Sequence, residues 1–178
     1  MSTAQELQEQ GVKLFRQRDY EAAGRVFQQA LDAYEADKQA DMAAEMRTNI
    51  GLVHRSLGEN QQALEAMQIA LQTFQEANDR MRSAKVLGNL GGVYVALGDK
   101  EQAYNCYRQA ADIFHELDEK GLYGETLIAM GDMQMKDGKL TSGAATYEAG
   151  LHQLDKLSPS QKIIKGLMGI RNKLMGGC

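Results

Sequence analysis

The sequence predicts an all-α protein: four helical hairpins in tandem, an α-solenoid, followed by one closing helix. Three observations carry this reading. Ala, Gln, Glu, Leu and Met are plentiful, with one proline and no tryptophan, a composition dominated by strong helix formers. The chain repeats at a period of forty residues, so that "NIGLVHRSLGENQQA" at 49–63 returns as "NLGGVYVALGDKEQA" at 89–103. Helix-stop signals recur at the same period.

Each hairpin is legible as columns of the repeat. Gly11, Gly51, Gly91 and Gly131 form one column, near the middle of each first helix. A missing side chain there lets the second helix approach. Ala23, Ala63 and Ala103 align with Gly143, and Ala30, Ala70 and Ala110 align with Gly150. Seven residues apart on one helix, the two small columns share a face. Phe27, Met67, Tyr107 and Tyr147 form a large column, and Tyr34, Phe74, Phe114 and Leu154 another. Alternating small and large side chains is how two helices interlock. "LGEN" (57–60), "LGDK" (97–100) and "KDGK" (136–139) each place Gly where a helix ends, whereas "QRDY" (17–20) turns without one. The repeats are bounded approximately as 4–40, 41–80, 81–120 and 121–157, an array over 1–157.

A further helix is predicted over 158–175, ahead of a tail at 176–178. Ser158 as N-cap, Pro159 at the first helical position and Gln161 after them make a capping-box start. Ile163, Leu167, Ile170 and Leu174 fall on one face, and Gly176 and Gly177 end the helix. A solenoid needs a cap on its last apolar face, and this helix is expected to supply it. Ile164, Met168 and Met175 make a second apolar face. The alternatives for this helix are homodimer formation through that face and contact with an anionic membrane.

Composition excludes several function classes. The net charge of −4 gives no basic field for nucleic acid, although the chain from Asp155 onward carries five basic residues against one acid. Cys106 and Cys178 are too few for a disulfide scaffold and form no CxxC. The N-terminus has no secretory pattern, and no apolar run reaches a membrane span. A cytoplasmic protein without membrane contact is expected. His54, His115 and His152 lie on different hairpins without a second ligand at i+4, so neither a metal nor any other cofactor is expected. No nucleophile–base pair or carboxylate dyad appears, and the protein is expected not to be an enzyme.

The Gly of each first helix, the Ala twelve later and the Ala seven after that resemble the tetratricopeptide repeat, TPR. The forty-residue period, longer than the usual 34, is similar to the long-repeat type of the Leu-Gly-Asn-type adaptors, most closely over "NDRMRSAKVLGNLGGVYVALGDKEQA" (78–103). The resemblance covers essentially the whole chain. It implies a right-handed superhelix and a non-catalytic adaptor or scaffold whose first helices line a concave groove for a partner peptide or helix. The groove positions it implies are Gln5, Gln8, Glu9, Val12 and Phe15 in the first repeat. In the second they are Glu45, Thr48, Asn49, Leu52 and Arg55. In the third they are Lys85, Gly88, Asn89, Gly92 and Val95, and in the fourth Glu125, Ile128, Ala129, Asp132 and Met135. The carboxylate clamp of chaperone-binding TPRs falls on Gln8, Val12, Asn49, Lys85 and Asn89, where only Asn49 and Lys85 match, so that specificity is rejected. The adaptors' Asn after Leu-Gly falls on Leu52, Gly92 and Asp132, a departure, whereas Lys85 matches a basic position.

The expected peptide-binding residues are therefore Asn49, Asn89, Lys85, Arg55, Leu52 and Asp132. Asn49 and Asn89 hold the same position one repeat apart. An amide both donates and accepts, so the pair suits a peptide backbone; recurrence through duplication is the alternative. Lys85, Arg55 and Arg82 make a basic spot that suits an acidic partner, or else ordinary surface charge.

Overall fold

The computed structural model describes residues 3–175, with side chains through Leu167. Expectations that fall on the side chains of Met168, Ile170, Leu174 and Met175, and on Gly176, Gly177 and Cys178, lie outside the described residues. Nine α-helices and no strands occur among those described. They are α1 (Ala4–Arg16), α2 (Tyr20–Ala36), α3 (Ala40–Leu57), α4 (Asn60–Glu76), α5 (Arg80–Leu97), α6 (Lys100–Glu116), α7 (Lys120–Lys136), α8 (Leu140–Gln153) and α9 (Pro159–Met175). Long helices account for the forty-residue period: α2 to α7 each run 17 or 18 residues.

The turns follow one rule at half the sequence period. Residues 18, 38, 58, 78, 98, 118 and 138 all have positive φ, between 55° and 82°. In each turn the following N–H bonds to the carbonyl five residues back at 2.8–3.1 Å, and the positive-φ residue's own N–H bonds three back. This is the Schellman motif, which satisfies the orphan carbonyls of a helix end. Gly58, Gly98 and Gly138 adopt it without Cβ strain. Arg18, Lys38, Asn78 and Asp118 adopt the same left-handed conformation, so the turn at "QRDY" has the geometry of the glycine turns.

The chain divides into two compact units, Met1–Cys106 and Tyr107–Cys178. In the first, α1 through α5 pack each against the next, and α3 also touches α5. Ala23, Ala30, Ala63, Ala70 and Ala103 have no exposed surface. Phe27 lies over Gly11 and Met67 over Gly51: a Cβ on either glycine would come within 2.6–2.7 Å of that side chain. Such burial is worth roughly 1.5–3 kcal/mol for each large side chain. Phe15, expected in the groove, instead meets Tyr20 edge-on at 5.3 Å and joins the core around Phe27, because its position points between the helices of the hairpin.

In the second unit, α7 packs on α8 and α8 touches α9. In the α7–α8 hairpin the alanine columns are glycines, Gly143 and Gly150, and backbone replaces side chain at the contact. A Cβ on Gly131 would lie 2.6 Å from the Tyr147 amide nitrogen, and one on Gly150 would lie 2.6 Å from the Gly124 carbonyl oxygen. α8 stops at Gln153, and Leu154 is extended at ψ 127°. The capping box of α9 is formed: Ser158 N–H donates to Gln161 Oε1 at 2.8 Å, and Gln161 N–H donates to Ser158 Oγ at 3.3 Å. Its apolar face is placed differently from expectation. Ile163 and Leu167 are 65% and 61% exposed, while Ile164 is half-buried.

Candidate functional site

Two helices of the first unit present matching rows. α3 contributes Glu45, Thr48, Asn49 and Leu52; α5 contributes Arg82, Lys85, Val86 and Asn89. Both rows follow i, i+3, i+4, i+7, the spacing that keeps residues on one helix face. Together with Phe74 of α4 they enclose a pocket of about 280 Å³. Asn49, Leu52, Lys85 and Asn89, named from the sequence, therefore line one pocket. Neither the Asn49 nor the Asn89 side chain forms a hydrogen bond with a described residue, and both are half-buried. Lys85 is exposed and forms no ion pair among the described residues.

Arg82 builds one wall. Its guanidinium lies 4.8 Å from the Phe74 ring centroid, its Nε donates to Asp79 Oδ2 at 2.5 Å, and Nη1 reaches Asp41 Oδ2 at 3.3 Å. One side chain thus joins α3, α4 and the N-cap of α5. Burial opposes the charge of Arg82, yet Asp79 and Asp41 hold its pKa above the usual value. Burial likewise works against the Asp79 carboxylate, but the Arg82 N–H, its guanidinium and the more distant Lys85 hold Asp79 below the usual range.

A second, wider cavity of about 900 Å³ adjoins this pocket, with Glu45 lining both. Gln5, Gln8, Glu9 and Val12 of α1 line it, with Tyr34 and Met42. The Tyr34 hydroxyl donates to Gln8 Oε1 at 2.9 Å, and Gln8 Nε2 donates to Glu45 Oε1 at 3.0 Å. Burial raises the Tyr34 pKa, and the charges of Glu45 and Glu9 raise it further. Glu45 is common to the two, and the pocket and the cavity, over the faces of α1, α3 and α5, are together called the trough.

Two of the expected residues lie elsewhere. Arg55 does not line the trough; its guanidinium lies over Gly92, where a Cβ would meet Cζ at 2.8 Å. Gly92 is thus a seat for Arg55 rather than a bare groove position. Asp132 is exposed on α7 of the second unit, where its charge, after burial, helps raise the Tyr147 pKa. Phe74 escaped the sequence reading as a site residue because it reads as core. Its helix spacing gave no sign that its ring is also the pocket floor.

The remaining reactive groups have structural surroundings. Among the described residues no three His, Cys, Asp or Glu side chains are placed to hold a metal. His54 Nδ1 lies 2.6 Å from Glu59 Oε2, and His115 meets the Tyr123 ring at 5.2 Å. Cys106 is a buried free thiol whose pKa is raised by burial and by Asp99. No described helix is long and apolar enough to cross a membrane.

Comparison with known proteins adds a family. The family model described as soluble NSF attachment protein, SNAP, matches residues 1–158. Among curated proteins nothing matches. Among solved structures, the chain is similar to the crystal structure of BtubC (BKLC) from P. vanneervenii, at 20% identity and a TM-score of 0.68, over 93% of this chain. The chain spans 64% of that protein's length, and at this identity the likeness shows the fold alone. A TPR-like helical-repeat protein is the level at which the comparisons agree; the long-repeat adaptor type is not the family matched.

Proposed function

The chain belongs to the soluble NSF attachment protein family, and from that premise we propose that it grips a peptide or helix of a partner protein in the trough of its first unit. At the coarser level it is an α-solenoid adaptor for protein interaction. The observation that carries the finer reading is the pair of amides, Asn49 and Asn89. They stand one repeat apart in one pocket, half-buried and without hydrogen-bond partners among the described residues. A half-buried amide with unused donors and acceptors is costly to bury further unless a ligand satisfies it. A peptide backbone offers the matching groups, Leu52 and Phe74 offer apolar contact, and Lys85 offers a charge. A reducing, cytoplasmic setting suits a buried free thiol at Cys106.

The test is affinity capture with the full chain, followed by titration of the captured partner. Each amide contributes roughly 0.5–1.5 kcal/mol through its hydrogen bonds. Asn49→Ala with Asn89→Ala should therefore weaken binding by about tenfold or more while circular dichroism stays helical. Unchanged affinity in a folded double variant would remove the trough from the interaction.

Assembly of copies through α9 is a second reading, favoured by the exposure of Ile163 and Leu167. Light scattering on the full chain and on a truncation after Leu157 separates the two. A dimer that survives truncation clears α9 of that role.

A further inference from the structure

We propose that the trough reads charge polarity: it takes a partner segment that is basic where it meets α1 and acidic where it meets α5. The inference rests on the peptide-binding reading above and adds the chemistry of the ligand.

The lining changes sign along the trough. At the α1 end, Glu9, Asp37 and Glu45 line the cavity, and Arg16 is the cation among them. Glu45 uses one oxygen on Gln8 and Glu9 uses one on Gln5, which leaves acceptor capacity on both carboxylates. At the α5 end the lining charges are Arg82, Lys85 and Glu45. Asp79 and Asp41 already occupy the Arg82 guanidinium. Lys85, exposed and without an ion pair among the described residues, is the cation left for a ligand.

Between the two ends lie Thr48, Asn49 and Leu52, groups that hold a backbone or an apolar side chain whatever the sequence. Neighbouring packed helices lie roughly 8–10 Å apart, so α1 and α5 are on the order of 20 Å apart across α3. An extended chain advances about 3.3 Å per residue, which puts the basic and acidic positions about six residues apart. A uniformly acidic segment gains at Lys85 and is repelled at Glu9 and Glu45. A uniformly basic one suffers the reverse. Repulsion of the wrong ligand is what gives such a surface selectivity.

The probe is a displayed library of random twelve-residue peptides sorted against the full chain, with winners synthesised as end-capped peptides. Winners should pair a basic with an acidic position about six residues apart. Neutralising either position should raise Kd by about 1.4- to fivefold, the range of an exposed ion pair. Glu9→Gln with Glu45→Gln should abolish the effect of the basic position only, and Lys85→Gln that of the acidic position only. Uniformly charged or uncharged winners that still lose binding with Asn49→Ala and Asn89→Ala would overturn the polarity and leave the peptide-binding reading standing. Winners indifferent to the double Asn variant, or a library that enriches nothing, would overturn both.

Discussion

Replacing Gly143 by Ala restores the residue that the other three hairpins carry in this column, yet it should destabilise the protein. A Cβ there would stand 2.7 Å from Met135 Cγ, 2.8 Å from the Met135 amide nitrogen and 2.9 Å from the Gly131 carbonyl oxygen. Ordinary Cβ contacts begin at 3.4 Å. Met135 can rotate its side chain, but two of the three obstacles are backbone of α7, so α7 and α8 must part by about half an ångström. Such overpacking costs about 1–3 kcal/mol. Alanine in a helix interior recovers about 0.5–1 kcal/mol over glycine. The net loss is centred near ~1 kcal/mol and reaches about 2.5 kcal/mol at most, or a fall of up to roughly 10 °C in Tm for a chain of this length. Gly88→Ala is the control, since nothing lies within 4 Å of its Cβ position; it should raise Tm by roughly 1–4 °C. Thermal melts at 222 nm read the sign. Solenoids can unfold in parts, so hydrogen exchange should also show lost protection in α7 and α8 for Gly143→Ala. If Gly143→Ala instead raises Tm as Gly88→Ala does, the backbone contact does not hold the fourth hairpin together.

Other outcomes follow from the turns, the ion cluster and the buried thiol. Arg18 carries a steric penalty for its φ of 66°; Arg18→Gly should stabilise by about 1 kcal/mol, read as a Tm rise of roughly 2–4 °C. Asp79 has a depressed folded pKa, so its contribution is fully present above the ordinary carboxylate value of about 4 and is lost as pH falls through the folded pKa. Asp79→Asn should cost about 1 kcal/mol at pH 7, and urea melts should show the gap to wild type closing under acid. If the gap is independent of pH, the ion pair is not its source. Cys106, buried with a raised pKa, should react with a thiol reagent far more slowly in the native Cys178→Ser protein than in urea; equal rates would contradict its burial.

How much of this was legible depends on which interactions are local. The forty-residue columns predicted the hairpins because every hairpin repeats one packing problem, and the alanines of those columns are buried to zero exposure. The glycine turns were legible for the same reason. The turns at Lys38, Asn78 and Asp118 were not, because the Schellman bonds form from backbone groups whatever the side chain. At the candidate site, the rows of α3 and α5 could be written down from helical spacing. That Asn49, Lys85 and Asn89 share a pocket, while Arg55 leaves it to cover Gly92, depends on the distance between two helices.

The sequence by itself determined the helices, their pairing into hairpins and the rows of side chains on each first helix, since all of these follow from periodicity within one segment. Only the tertiary structure decided which rows enclose a pocket, that Glu45 lines both cavities, and that Gly143 and Gly150 mark backbone contacts rather than weakened copies of alanine. These depend on separations between helices of a few tenths of an ångström to a few ångströms, set by all the side chains at an interface together and by no local run of residues.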